Sequence, residues 1–298
     1  SRNVLQKKTG ERSYAEVGRL AGIAASEWSW GALLFDMDND GLRDIFIANG
    51  IYKDLLDRDY LAYSGAQENV RKIIKEEQNA ILKLIDLMPS SKFPNYAFKN
   101  EGNLKFTNSA FEWGFGEPMF SSGSAYGDLD NDGDLDLVVN NINAQAGVFR
   151  NNSDSSRYKS ISLSVTSKGK NTFSVGTMIT AYGGHKKLIA DNFVTRGFQS
   201  SVEPIVTMGL GAEIKVIDSI HIRWPDNDYS VMYNVPVNKR LNVVREELQE
   251  FKQYKNNKYV SEKFSLEPVS SKIFKHQRSG LVDFNRDRLL PHVYSNEM

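Results

Sequence analysis

The 298-residue chain has no cysteine, which excludes disulfides, zinc–thiolate centres and thiol catalysis. Histidine is scarce. His185, His221, His276 and His292 are scattered, with no H-E-x-x-H and no pairing at metal-ligand spacing. His221 falls in a strand-like run and reads as a structural residue rather than a base. There is no G-x-S-x-G elbow, Walker loop or G-x-G-x-x-G. No excess of either charge exists, since Lys+Arg and Asp+Glu number 37 each, so no global field favours nucleic acid or a membrane surface. No apolar run approaches the roughly 20 residues of a membrane-spanning helix.

What the chain does have is acid in two matching places. Asp36-Met37-Asp38-Asn39-Asp40-Gly41-Leu42-Arg43-Asp44 and Asp128-Leu129-Asp130-Asn131-Asp132-Gly133-Asp134-Leu135-Asp136 both read D-x-D-x-D-G-x-x-D. Each runs straight into an apolar stretch, Ile45-Phe46-Ile47 or Leu137-Val138-Val139. Carboxylates this dense repel one another unless a cation sits among them, and a hard cation with six to eight oxygen ligands meets that need. The expected ligands are the side chains of Asp36, Asp38, Asp40 and Asp44 with the Leu42 carbonyl, and those of Asp128, Asp130, Asp132 and Asp136 with the Asp134 carbonyl. Gly41 and Gly133 fall where the turn is sharpest. The helix-loop-helix calcium hand is excluded, because its twelfth position needs a bidentate Glu and Ile47 and Val139 stand there. A loop from strand to strand is expected instead, with calcium preferred to magnesium because so many protein oxygens are offered. The plain alternative is a pair of Asp/Gly-rich surface turns without metal.

The loops belong to a repeat. They lie 92 residues apart (128 − 36), and the same shift pairs Asn3 with Asn95, Gly10 with Gly102, Tyr14 with Phe106, Gly22 with Gly114 and Gly31 with Gly123. Phe98-Lys99-Asn100 recurs as Phe149-Arg150-Asn151, a shift of 51 (149 − 98). Units of this length, built of short strands with Gly and aromatic punctuation, point to propeller blades. Two such blades are too few for a closed propeller, so further blades are expected beyond this chain. The first unit carries an insertion at about 51–92. In it Val70, Ile73, Ile74, Ile81, Leu84, Ile85 and Met88 recur at helical spacing and Pro89 stops the helix. Packing of that stripe against the blades is the expectation, with a partner-binding helix as the alternative.

After the polar stretch Asn151–Ser156 the pattern alternates. Strands are expected at 158–165, 177–182, 187–190, 205–208, 219–224 and 240–244, with turns at Gly183-Gly184, Gly209, Gly211 and Pro225-Asp226-Asn227. The chain thus divides into blades with a helical insertion (1–152), a second β domain (157–246), and a charged linker with the start of a further segment (247–298). The fold class is all-β with a helical insertion.

The two loops, with their glycines and following strands, resemble the FG-GAP (VCBS) repeats of calcium-binding β-propellers such as the integrin α head. Asn171 to Tyr182, Arg196-Gly197-Phe198-Gln199-Ser200, Met208-Gly209-Leu210-Gly211 and Asp218 to Asp226 are similar to an ASPIC/UnbV domain, the module that accompanies such propellers in cartilage acidic protein and its bacterial relatives. Met178 and Met208 stand where that module more often has Gly or Ala and Phe, and Asn227 replaces the usual Gly after Trp-Pro-Asp. Asn49 to Asp54 with Asp57 and Asp59, and the tail from Asp283 to His292, resemble large exported VCBS proteins of the Bacteroidota. The resemblance implies partial FG-GAP blades beside a small β-sandwich-like domain, two calcium ions, and a place outside the cell or at its outer surface, within a larger complex. The function it implies is non-catalytic binding of a surface protein or glycan. The alternative is a calcium-dependent polysaccharide lyase or other glycan-processing enzyme, for which the sequence marks no basic catalytic residue. Trp28, Trp30, Trp113 and Trp224 suit either sugar stacking or core packing.

Overall fold

The computed structural model describes residues 2–76 and 79–251, all within one compact unit that runs to Gln253. The linker beyond residue 251 and the tail from Asp283 to His292 lie outside the described residues.

The first half begins with a short hairpin, β1 (Gln6–Lys8) and β2 (Tyr14–Glu16). Strands β3 (Ser29–Phe35) and β4 (Asp44–Asn49) follow, then helices α1 (Arg58–Gly65), α2 (Gln67–Glu76) and α3 (Ala80–Asp86). Strands β5 (Tyr96–Asn100) and β6 (Phe106–Asn108) complete a four-stranded antiparallel sheet in the order β3-β4-β5-β6. Strands β7 (Ser121–Gly127), β8 (Asp136–Asn141) and β9 (Gly147–Phe149) make a three-stranded one. The repeat seen in sequence is a structural repeat. Phe35 pairs with Asp44 as Gly127 pairs with Asp136, and Ile45 faces Phe98 as Leu137 faces Phe149. Even the irregularity recurs, between Ser29 and Ala32 in one copy and between Ser121 and Ser124 in the other. Side chains from both sheets enter one core of Leu33, Phe35, Phe46, Phe115, Leu137 and Val139. Each buried residue of this kind contributes about 1.5–3 kcal/mol.

The second half has eight strands: β10 (Lys159–Thr166), β11 (Met178–Gly183), β12 (Lys186–Asp191), β13 (Ile205–Gly211), β14 (Val216–Arg223), β15 (Tyr229–Pro236), β16 (Lys239–Val244) and β17 (Glu250–Phe251). They form two sheets, β13-β10-β16 and β12-β11-β14-β15-β17. The β10–β16 pair is parallel and the others antiparallel. Alternation explains the packing. On β14, Ile220 and Ile222 turn inward while His221 and Arg223 face out, and Ile161, Leu163 and Val165 of β10 meet them in a common core that includes Trp224. His221 stands on the outer face against the Tyr182 ring, centroids 4.9 Å apart. Asn227, in the place of the usual glycine, adopts φ 72°, a left-handed conformation that asparagine tolerates.

Among the described residues the structure is thus mostly β, in several sheets, none of which closes on itself. Three elements differ from the sequence reading, the first being β17, which falls where a charged linker was expected. The strand β15 was not expected; along it only Ser230 and Val235 are buried, so the Tyr229, Val231, Tyr233 alternation in its sequence does not mark its inner face. The inserted segment is three short helices rather than one, and its apolar stripe is covered only in part, with Val70, Leu84 and Met88 half-buried. Ile73 is buried at 6% exposure, but Ile74 and Ile81 are 63% and 71% exposed. The insertion is held at its neck instead, where Ile51 bridges Ser91 and the Asp54 amide donates to the Pro89 carbonyl at 2.9 Å.

Candidate metal centres

Both acidic loops connect strand to strand, β3 to β4 and β7 to β8, and they fold alike. Asn39 and Asn131 take φ 58° and 62°, and Gly41 and Gly133 take 91° and 96°. These left-handed residues curl the chain back over its first carboxylate. Asp36 accepts the amides of Asp40 (3.1 Å) and Gly41 (2.9 Å), as Asp128 accepts those of Asp132 (3.0 Å) and Gly133 (3.3 Å). The result is two oxygen triads. Asp36, Asp38 and Asp40 bring one carboxylate oxygen each within 4.8 Å of one another, and so do Asp128, Asp130 and Asp132. Either triad is able to hold a metal ion, and an all-oxygen donor set suits a hard cation.

Asp44 and Asp136 stand behind the triads as staples. The two oxygens of Asp44 accept the amides of Met37 (2.9 Å) and Asn100 (2.8 Å), and those of Asp136 accept the amides of Leu129 (2.9 Å) and Asn151 (2.8 Å). Asp44 therefore ties its loop to the end of β5, and Asp136 ties its loop to the chain just past β9. A carboxylate oxygen keeps a lone pair after one such bond. Of the two residues expected to offer carbonyls, Leu42 is exposed and Asp134 is not. The Asp134 side chain is 4% exposed, with one oxygen accepting the Ser153 amide at 3.0 Å. Its other oxygen is buried with no hydrogen-bond partner among the described residues, and its carboxyl lies against that of Asp132. An orphaned buried carboxylate oxygen beside an oxygen triad fits a cation ligand.

Burial dominates the electrostatics. It pushes Asp36 up to about 8, with Asp40, Asp44 and Asp38 adding repulsion against the bond from Gly41. Burial likewise lifts Asp44 to about 7, and lifts Asp134 to about 7 with help from Asp132. Asp40 and Asp128 are raised for the same reason. These groups resist ionising together unless positive charge is supplied.

Some of that charge comes from residues the sequence reading did not single out. Lys99 of β5 donates to Asp38, and Arg150, just past β9, lies 2.7 Å from Asp130 and 3.6 Å from Asp132. The signal was present in the shift of 51 residues that aligns Phe98-Lys99-Asn100 with Phe149-Arg150-Asn151. The second half supplies further contacts. The Gly211 amide donates to the Asn39 carbonyl at 3.0 Å, Arg43 donates to the Ile189 carbonyl at 2.6 Å, and Arg240 donates to Asn131. A β-carbon on Gly209 would lie 2.0 Å from an Asp36 oxygen and 2.7 Å from the Asn39 α-carbon, so only glycine permits this strand to lie on the first loop. The loops also meet each other, where Asn39 donates to the Gly133 carbonyl at 3.4 Å.

No curated protein matches the chain. Residues 167–250, which span β11 to β17 and contain the Gly209 contact, match the family model described as ASPIC and UnbV, and the chain thus carries an ASPIC/UnbV domain.

Proposed function

We propose that this chain is a non-catalytic calcium-binding module, in which FG-GAP-type propeller blades and an ASPIC/UnbV domain bind a protein or glycan at the outer cell surface. The observation that carries the reading is the pair of repeat-equivalent oxygen triads, with the orphaned Asp134 oxygen beside the second. In this reading Asp36, Asp38, Asp40 and Asp44 with the Leu42 carbonyl hold one calcium. Asp128, Asp130, Asp132 and Asp136 hold the other, with Asp134 offering its carbonyl and its free carboxylate oxygen. Weak sites of this type fill where free calcium is near millimolar, which supports a place outside the cell. The partner surface is the inserted helical segment, whose Leu61, Ile74, Ile81 and Leu82 are exposed.

Calorimetric titration with calcium and thermal melts with and without chelator test the metal reading. At ten times its dissociation constant, calcium adds about 1.4 kcal/mol of stability per site by mass action. A melt unchanged by chelator, with no calcium uptake, overturns it.

The lyase alternative has less support. A cavity of about 200 Å³ is lined by Asp36, Tyr126, Arg43, Arg196, Asp191 and Glu203, below the roughly 300–1,000 Å³ of most ligand pockets. A wider one of about 510 Å³, lined by Asp38, Glu112, Trp113 and Arg150, lies within that range, but its Arg150 is paired with Asp130. Arg196 donates to Asp191, Arg43 donates to a backbone carbonyl, and burial raises the Tyr126 phenol, which works against its acting as a base. Assay on uronic-acid polymers with and without calcium separates the two readings.

A further inference from the structure

Lys99 and Arg150 are no part of either oxygen set, yet each sits on one. Lys99 donates to the same Asp38 carboxylate that the first triad contributes. Arg150 spans Asp130 and Asp132, two of the three carboxylates of the second. Both follow a phenylalanine that pairs into the loop's own sheet, Phe98 against Ile45 and Phe149 against Leu137. Repeat geometry therefore aims a fixed cation at each loop twice over. Asn100 and Asn151, the next residues, donate their amides to Asp44 and Asp136, so the chain carrying each cation is tied to the loop it faces.

We propose that Lys99 and Arg150 are tethered counter-cations that compete with calcium for the acidic loops and hold both sites in a weak affinity range. The inference rests on the calcium reading above. The orphaned Asp134 oxygen, 4% exposed and beside Asp132, is the independent pointer to a cation ligand there. The physical basis is exchange. An oxygen that accepts an ammonium or guanidinium proton must give up that bond, or share its charge, before it ligates a dication. A unit positive charge left nearby then repels the metal. Both cations reach the loops from outside, with side chains 36% and 66% exposed, so each can swing into water when calcium enters. A merely structural role makes the opposite demand, because a cation that positions the carboxylates helps the metal to bind.

The test is calorimetric titration of the 298-residue chain with calcium chloride, comparing the parent with Lys99→Gln, Arg150→Gln and Lys99→Arg. Each Gln variant is expected to tighten its own site about fivefold, the upper range for an exposed ion pair. The gain shrinks in about 0.5 M salt, and Lys99→Arg stays at the parent affinity. Metal-free melting temperatures should fall slightly in the Gln variants, because each loses the ion pair whose absence tightens calcium. Unchanged or weaker calcium affinity in both Gln variants overturns the competition. If the parent takes up no calcium, the calcium reading falls and this inference with it. If the parent binds and the variants bind identically, only the inference falls.

Discussion

Asp44 and Asp136 show what one side chain contributes to these loops. Each gathers two backbone amides from opposite sides and so fixes where the loop stands relative to its sheet. A buried donor left without a partner costs about 1–3 kcal/mol, so Asp44→Ala, which strips two amides of their acceptor, should cost about 3 kcal/mol in chemical denaturation. Removal of the exposed Leu42 side chain should cost almost nothing. The loops also set a pH dependence. Asp36 is pushed up to about 8 and Asp44 to about 7 by burial, whereas an unfolded Asp titrates near about 3.9. Between those values the folded, metal-free chain holds more protons than the unfolded chain, so its stability falls as pH rises. Melts in chelator should therefore move down from pH 5 to pH 8, and calcium should flatten that slope by displacing the protons. At this scale the sequence was largely readable. The D-x-D-x-D-G spacing announces the triads because alternate residues of a tight loop converge. The Asp134 side chain was not readable, since whether a seventh-position acid turns outward like Leu42 or inward depends on Ser153, nineteen positions later (153 − 134).

Strands in the second half were readable where they alternate, as on β14, and unreadable where burial is patchy, as on β15. The inserted helices teach a different lesson. Helical spacing of apolar residues announces a helix, but it does not say what the apolar face meets, and here Ile74, Ile81 and Ile85 of it meet solvent. Deleting residues 52–91 should leave calcium uptake unchanged, because the neck closes at Ile51 and Ser91, away from both loops. Binding to a surface partner should weaken, and pull-down with the parent and the deletion reads the difference. Unfolding of the deletion would identify the helices as support for the sheets of the first half. Strand β13 makes a sharper case. Gly209→Ala places a methyl group 2.0 Å from an Asp36 oxygen, so the loop or the strand must shift. Overpacking of this kind costs about 1–3 kcal/mol. Calcium titration should show the first site weakened and the second unchanged.

On the scale of the whole molecule, the repeat sheets of the first half and the ASPIC/UnbV domain have separate cores but share the ground around the loops. Residues 157–251, expressed alone, should fold on the core of Ile161, Leu163, Ile220 and Trp224 and melt at a temperature indifferent to calcium. The same strands within the 298-residue chain should melt higher when calcium is present. Equal calcium dependence in both would mean that the domain carries a metal site of its own.

The way β10 is paired adds a constraint of time. It lies between β13 and β16, and the parallel register matches Ile161 with Lys239, so its sheet is not complete until the chain has been made past Val244. The first acidic loop depends in turn on Gly209 and Gly211, which follow it by more than 160 positions (209 − 40). At a synthesis rate of about 5–20 residues per second, that loop waits roughly ten to thirty seconds for the strand that covers it. The first metal loop is made early and finished late, and in ribosome-bound chains its calcium uptake should appear only once the chain extends past Gly211.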